Sequence, residues 1–300
     1  MTDTNTTAEH RAGFITLVGR PNVGKSTLLN KVVGTTLAAV ANKPQTTRNR
    51  IIGILNRPDA QLVFVDTPGI HKAKTPLNAR LVTTARQAMG EGDVTVMVLD
   101  GTAGVTAADR EVAEEVAKRP HVVLAVSKID LVGKAGVIPV LTAAQALIAK
   151  ADVIPVSGKT GDNVDRLLDL VAAKLPASPP LYPEDQVTEQ SERFLASEIV
   201  RQKVIEKTRN EVPYTTAVVI EAFREEPEKK LVVINASIIV ERDSQKGILI
   251  GEKGQKIREI GTSARHALED TFGCRIYLEL HVKVVPGWTG NPRVLGELGI

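Results

Sequence analysis

Aromatic residues are scarce: Phe, Trp and Tyr together make up 3% of the 300 residues. The cores must therefore be built from Val, Leu, Ile and Ala, and a sheet that stacks RNA bases on aromatic rings is disfavoured. Cysteine is reduced to Cys274, so no internal disulfide can form. That suits a reducing cytosol, with Cys274 acting as a small apolar residue. A large excess of one charge is missing as well: the formal net charge is only +3, so any basic surface must be local. Long hydrophobic runs are absent, and the longest, at 94–99 and 122–126, cannot span a bilayer. The polar, Thr-rich start at 1–11 lacks the apolar stretch of a signal peptide and reads as a disordered tail. A cytoplasmic protein is expected, and 43% hydrophobic residues suffice for two globular domains.

What is present is a regular alternation. From 14 to about 175, short apolar strands (14–18, 50–55, 62–65, 94–99, 122–126, 153–155) alternate with helical patterns (26–33, 107–118, 137–150, 164–175). Nearly all-apolar strands are expected where helices cover both faces of a mostly parallel sheet, so 12–176 reads as a doubly wound α/β domain. Ligands of such sheets sit outside the carboxyl ends of the strands. Four prolines between 176 and 183 mark a Pro-rich linker, placed at 177–190. The segment 191–300 then runs helix, strand, strand, short helix, helix, strand, an α+β pattern.

Gly19-Arg20-Pro21-Asn22-Val23-Gly24-Lys25-Ser26 has the form G-x-x-x-x-G-K-[ST] between a strand and a helix. Its backbone N–H groups and the following helix end can cradle a β-phosphate. Lys25 can reach the β- and γ-phosphates, the Ser26 hydroxyl can ligate Mg²⁺, and Thr27 is counted with them among the nucleotide-binding residues. Asp66-Thr67-Pro68-Gly69 follows the third strand. Asp66 is placed to hold Mg²⁺, and the Gly69 N–H to sense a γ-phosphate. Between these motifs the polar stretch 35–48 is long enough for a mobile loop whose Thr hydroxyl completes the metal shell. Thr47 is preferred and Thr46 is the rival.

Ser127-Lys128-Ile129-Asp130 follows the fifth strand. A carboxylate at Asp130 can accept from guanine N1–H and its amine together, whereas adenine would leave it unpaired. The Lys128 stem can cover the base. Ser157-Gly158-Lys159 can offer a backbone N–H to guanine O6. These residues resemble those of the small translational GTPases, whose motif here begins with Asn. Ser127 makes fewer bonds than Asn, which implies weaker nucleotide affinity with specificity retained by Asp130. Ile70 stands where many GTPases carry a water-orienting Gln, so slow hydrolysis is expected. Lys25, Thr47, Asn22 and Gly69 are the residues assigned to catalysis. The resemblance implies that Asn22 could recruit K⁺. The alternative is an Asn22 side chain that merely stabilises the loop.

In the second unit, Ile248-Leu249-Ile250-Gly251-Glu252-Lys253-Gly254 precedes an amphipathic helix. It resembles the G-x-x-G loop of a KH domain, which clamps about four nucleotides of single-stranded RNA. Lys246, Lys253, Lys256 and Arg258 gather there, although 191–300 carries 17 Lys and Arg against 16 Asp and Glu. Ile248, Ile250 and Ile257 are the expected groove floor, with the backbone of Gly251, Glu252 and Gly254 on the phosphates.

The order of motifs extends the resemblance over nearly the whole chain. G-R-P-N-V-G-K-S-T-L-L-N at 19–30, P-Q-T-T-R at 44–48, D-T-P-G at 66–69, R-F-L-A-S-E-I-V-R at 193–201, E-R-D-S-Q-K at 241–246 and I-G-E-K-G at 250–254 resemble the Era family of bacterial KH-domain GTPases. The resemblance implies a Ras-like P-loop GTPase domain followed by a type II KH domain. It also implies GTP/GDP and Mg²⁺ as ligands, the 3′ region of 16S ribosomal RNA and the 30S subunit as partners, and peripheral membrane association. No stable oligomer is expected. Two functions stay open: an enzyme-switch in which GTP biases RNA binding, and an RNA-binding assembly factor whose nucleotide site scarcely turns over. A metabolic P-loop kinase would leave Asp130 and the D-T-P-G turn without a purpose.

Overall fold

The computed structural model describes residues 9–40, 46–71, 75–208, 212–298 and 300. Residues 1–8 of the expected tail, and Lys43, Pro44 and Gln45, lie outside them. The first unit contains strands β1 (Arg11–Val18), β2 (Ile51–Asn56), β3 (Ala60–Asp66), β4 (Val94–Asp100), β5 (Val122–Ser127) and β6 (Asp152–Pro155). They form one sheet in the order β2-β3-β1-β4-β5-β6, parallel except for the β2–β3 hairpin. The chain winds from β1 one way to β3 and then the other way to β4. That reversal places the carboxyl ends of β1, β3 and β5 around one crevice.

Five helices cover the two faces: α1 (Lys25–Val33), α2 (Pro76–Glu91), α3 (Ala107–Val116), α4 (Lys134–Gln145) and α5 (Val164–Ala172). On one face Leu28 and Leu29 of α1 and Leu167 and Val171 of α5 pack on Ile15, Leu17, Leu62 and Phe64. On the other, Ala85, Met89, Val112 and Val116 pack on Val18, Met97, Leu99 and Leu124. The aliphatic core expected from the aromatic scarcity is what forms, with Phe64 the one fully buried ring among the described residues of this sheet.

The second unit comprises α6 (Glu192–Lys207), β7 (Ala217–Glu226), β8 (Leu231–Val240), α7 (Asp243–Ile250), α8 (Gln255–Phe272), β9 (Arg275–Val284) and α9 (Pro292–Glu297). β8 is central, antiparallel to β7 and parallel to β9. Ala196, Ile199 and Val200 of α6 and Ala264 and Leu268 of α8 bury one face of that sheet.

Three features differ from the sequence reading. His10 and Arg11, assigned to a disordered tail, are tied down. His10 Nδ1 lies 2.8 Å from Ser178 O, and Arg11 Nη1 donates to Leu175 O at 2.6 Å. The segment between the units is strapped along the β2–β3 edge: Ile54 N donates to Val187 O (2.9 Å), Thr188 Oγ1 to Ile52 O (2.5 Å), and Gln61 Oε1 accepts from Leu181 N (2.6 Å). Proline stiffens this segment, and these bonds fix it in place. The third is α2, which is not among the helices expected from the sequence. It starts at a Thr75 cap whose hydroxyl accepts from Asn78 N, with Pro76 in its first turn.

Candidate GTPase centre and RNA interface

The phosphate loop leaves β1 in a backbone that few residues tolerate. Gly19 has φ 145°, and a Cβ there would lie 2.5 Å from Val98 O. Asn22 (φ 63°) and Gly24 (φ 102°) are left-handed, so the loop curls before α1 begins at Lys25. The result is a cleft of about 200 Å³ lined by Pro21, Asn22, Gly24, Lys25, Ser26, Thr27, Thr46, Thr47, Gly69 and Lys128, with Ala39 and Val40. Lys25 Nζ lies inside it, donating to Gly19 O (3.2 Å) and Arg20 O (3.0 Å). Burial lowers the Lys25 pKa to about 8, against the opposing pull of Asp66.

Three oxygens converge beside it. Ser26 Oγ and Thr47 Oγ1 are 2.6 Å apart, and Asp66 Oδ2 is 2.6 Å from the first and 3.3 Å from the second. Asp66 is fully buried, and its Oδ1 has no partner among the described residues. Burial raises its pKa, opposed by Lys25, Ser26 and Thr47. Neighbouring oxygens around an octahedral Mg²⁺ ion lie about 3 Å apart, so hydroxyl, hydroxyl and carboxylate here suit a hard cation. The structure brings Thr47, and not Thr46, to this point.

The D-T-P-G turn packs directly on the phosphate loop. A Cβ on Gly69 would sit 2.5 Å from Pro21 N, and Ile70 N donates to Gly19 O at 3.1 Å. Thr67 Oγ1 donates to Leu17 O (2.8 Å), and Pro68 is buried. Ile70 is turned into the core. Asn22 is exposed and lines the cleft. The Arg20 side chain leaves the cleft to pair with the buried Asp109 at the start of α3 (2.7 Å). Val23 likewise turns its side chain into the core. Neither residue lines the cleft.

At the base end, Ser127 is 3% exposed and its hydroxyl donates to Val23 O, with Leu99 O also in reach at 2.9 Å. The bond to the phosphate loop that the Asn of related motifs is expected to make is thus made by Ser, and what Ser lacks is reach towards a base. Lys128 (φ 59°) pairs with Asp100 at 2.7 Å. Burial would raise the Asp100 pKa, but Lys128 and Thr102 outweigh it and hold the carboxylate low. Ser157 Oγ donates to Asp130 Oδ1 (2.7 Å) and accepts from Lys159 N (3.2 Å), which joins the last two motifs. Gly158 lies against α1, where a Cβ would be 2.9 Å from Leu28 N, and lines a shallow cavity with Thr27.

In the second unit the loop between α7 and α8 is again left-handed: Gly251 φ 70°, Lys253 φ 48°, Gly254 φ 76°. A Cβ on Gly251 would meet Lys256 Cβ at 2.6 Å. Glu252, Lys253 and Arg258 are exposed, and Lys246 is half-buried. Beside the loop runs a groove of about 470 Å³ lined by Gly254, Ile257, Arg258, Gly261, Thr262 and Arg265 of α8, and by Leu278, Glu279 and Leu280 of β9. The expected floor is therefore corrected. Ile257 belongs to it, whereas Ile248, 47% exposed, and Ile250 do not line it, and Leu278 and Leu280 replace them. The alternation of 278, 280 and 282 along the last strand was the available signal for these residues. Lys256 is paired with Glu259 at 3.0 Å.

A phosphate loop at the turn of a doubly wound sheet, with a buried carboxylate and two hydroxyls opposite its lysine and a G-x-x-G unit behind it, defines a P-loop GTPase that carries a KH domain. The sequence family described as 50S ribosome-binding GTPase matches residues 14–128, and the KH domain family matches 211–289. GTPase Era of Syntrophus aciditrophicus (strain SB) is 47% identical over 290 residues, covering 96% of this chain and 95% of that protein. GTPase Era of Geotalea daltonii is 45% identical, covering 98% and 99%. The chain belongs to the Era family of GTPases. Two crystal structures superpose over nearly all of it. A single-residue variant of Aquifex aeolicus Era bound to GDP.AlF4- has a TM-score of 0.92 and 38% identity, with 96% and 99% of the chains covered. Era in complex with MgGDPNP and nucleotides 1506–1542 of 16S ribosomal RNA has a TM-score of 0.92 and 39% identity, with 97% and 99% covered.

Proposed function

We propose that this GTPase binds GTP and GDP with Mg²⁺ at 19–27, 66–69, 127–130 and 157–159, and that its GTP form engages the 3′ region of 16S ribosomal RNA through the KH domain during assembly of the 30S subunit. The observation that carries the reading is the meeting of Ser26, Thr47 and Asp66 beside Lys25. Phosphoryl transfer depends on positioning and charge stabilisation, and Mg²⁺ would neutralise phosphate charge. Lys25 and the loop N–H groups hold the phosphates, Thr47 and Gly69 respond to the third one, and Asp130 with Lys128, Ser157 and Lys159 selects guanine. The domains are 12–176, the strap 177–190 and 191–300. The superposition on the Era complex with MgGDPNP and a 16S fragment supports the RNA partner. The expected contacts are Lys253, Lys256 and Arg258, with Ile257 in the groove.

Burial of Ile70 favours a second, narrower reading, in which the site is occupied and turns over slowly. Asn22, exposed and lining the cleft, is then the group that recruits K⁺. Steady-state GTP hydrolysis, with and without an oligonucleotide of the 16S 3′ end and in K⁺ and Na⁺, tests both. RNA is expected to raise turnover, and K⁺ to support more than Na⁺. Absence of turnover in every condition overturns the enzyme-switch, and equal rates in the two salts remove the cation.

A further inference from the structure

The segment that carries Thr47 is gripped from both sides by the other domain. Just before it, Thr46 O accepts from Arg201 Nη2 on α6, and the same guanidinium is oriented by Glu198 (Nε to Oε1, 2.7 Å). Just after it, the Arg48 side chain is 3% exposed and crosses into the KH domain. Its Nη1 donates to Thr216 O and its Nη2 to Tyr214 O, both at 2.9 Å, and its guanidinium carbon lies 5.7 Å from the centre of the Trp288 ring. Between these two grips the Thr47 side chain points to Ser26 and Asp66. The carbonyl before Thr47 and the side chain after it are thus fixed by groups more than 150 residues away in sequence.

We infer that the KH domain completes the GTPase centre: Arg201, Glu198 and Arg48 are positioning residues that hold Thr47 in its reactive place. The inference rests on reading Ser26, Thr47 and Asp66 as the metal and phosphate site. A loop without helix or strand ladders loses conformational freedom when it closes, and anchoring both neighbours of Thr47 removes that cost beforehand. The grip is also poised to open. Two guanidiniums are buried with one carboxylate, and Arg48 Nε and Arg201 Nη1 have no partner among the described residues. A buried excess charge disfavours the closed grip unless Thr47 gains a partner on the nucleotide. By reciprocity, whatever stabilises the grip from the KH side raises turnover, and γ-phosphate steadies the KH domain.

The test uses the full chain with Arg48→Ala, Arg201→Ala and Glu198→Gln, beside Thr47→Ala. We expect kcat for GTP to fall about 10–100-fold in the two arginine variants, because a small misplacement of a reacting group costs that much. GDP affinity should stay near that of the unsubstituted chain, and the Mg²⁺ concentration for half-maximal binding of a non-hydrolysable GTP analogue should rise. Glu198→Gln, which keeps the shape, should lie between. An unchanged kcat in both arginine variants, with Thr47→Ala impaired, overturns the inference alone. An unchanged kcat in Thr47→Ala overturns the reading of the site beneath it. Parallel loss of GDP and GTP-analogue affinity with a lowered thermal midpoint overturns positioning in favour of a purely structural role.

Discussion

Single residues decide how this centre works. Lys25 is the clearest case. Its folded pKa, about 8, lies below the ordinary value of 10.5 because the side chain is buried. A bound polyphosphate favours the charged form and raises that pKa, so between the two values the complex holds one proton more than the free protein. Affinity for GDP is then constant well below pH 8 and falls above it, by about tenfold per pH unit. Titration between pH 7 and 9 checks this, and a flat profile contradicts the burial of Lys25. Ser127 shows what one sequence can reveal. The Asn-to-Ser departure was visible, but not that the hydroxyl still reaches Val23 O, because reach depends on the distance between β5 and the phosphate loop. Replacing Ser127 by Ala leaves that carbonyl unpaired, and nucleotide binding should weaken by about 1–2 kcal/mol.

Among elements, those with a period and a motif were legible from the sequence. β1 to α1 could be read because a Gly-rich loop needs a strand before it and a helix after it. The helix α2 was overlooked although the sequence marks it: Leu77, Leu81, Ala85 and Met89 follow a Thr75 cap at a four-residue spacing. Its apolar side is divided between two partners: Ala85 and Met89 face the sheet, while Leu77 and Leu81 pack with Trp288 and Leu295 of the KH unit. These four residues recur every fourth position along one stripe, so two partners share a single apolar face end to end. The groove of the KH unit was half legible: the G-x-x-G loop announced it, but half its floor comes from β9, brought alongside by parallel pairing with β8. The loop itself is exposed and left-handed at Lys253, a backbone that Asp accepts. Lys253→Asp should therefore weaken binding of a 16S 3′-end oligonucleotide about tenfold or more without moving the thermal midpoint. Unchanged affinity would place the RNA elsewhere.

At the scale of the whole molecule, the segment that carries Thr47 and the helix that follows the D-T-P-G turn both touch the KH domain. The Thr46–Thr47–Arg48 segment does so through α6, Tyr214 and Thr216, and α2, after the D-T-P-G turn, through Trp288. No sequence pattern announces such contacts: Arg48 and Arg201 stand in motifs of the family resemblance, but only the fold buries them and brings them together. Trp288 is the single tryptophan and lies buried where these contacts meet, so it reports on them directly. Its fluorescence should change when GDP is exchanged for a non-hydrolysable GTP analogue, and an identical spectrum would mean that the interface ignores the nucleotide. The most direct test of the whole account is the affinity of the full chain for a 16S 3′-end oligonucleotide with GDP and with that analogue. The account predicts tighter binding with the analogue, by about fivefold or more, the lower range of coupling between distinct sites. Equal affinity in the two states would contradict it.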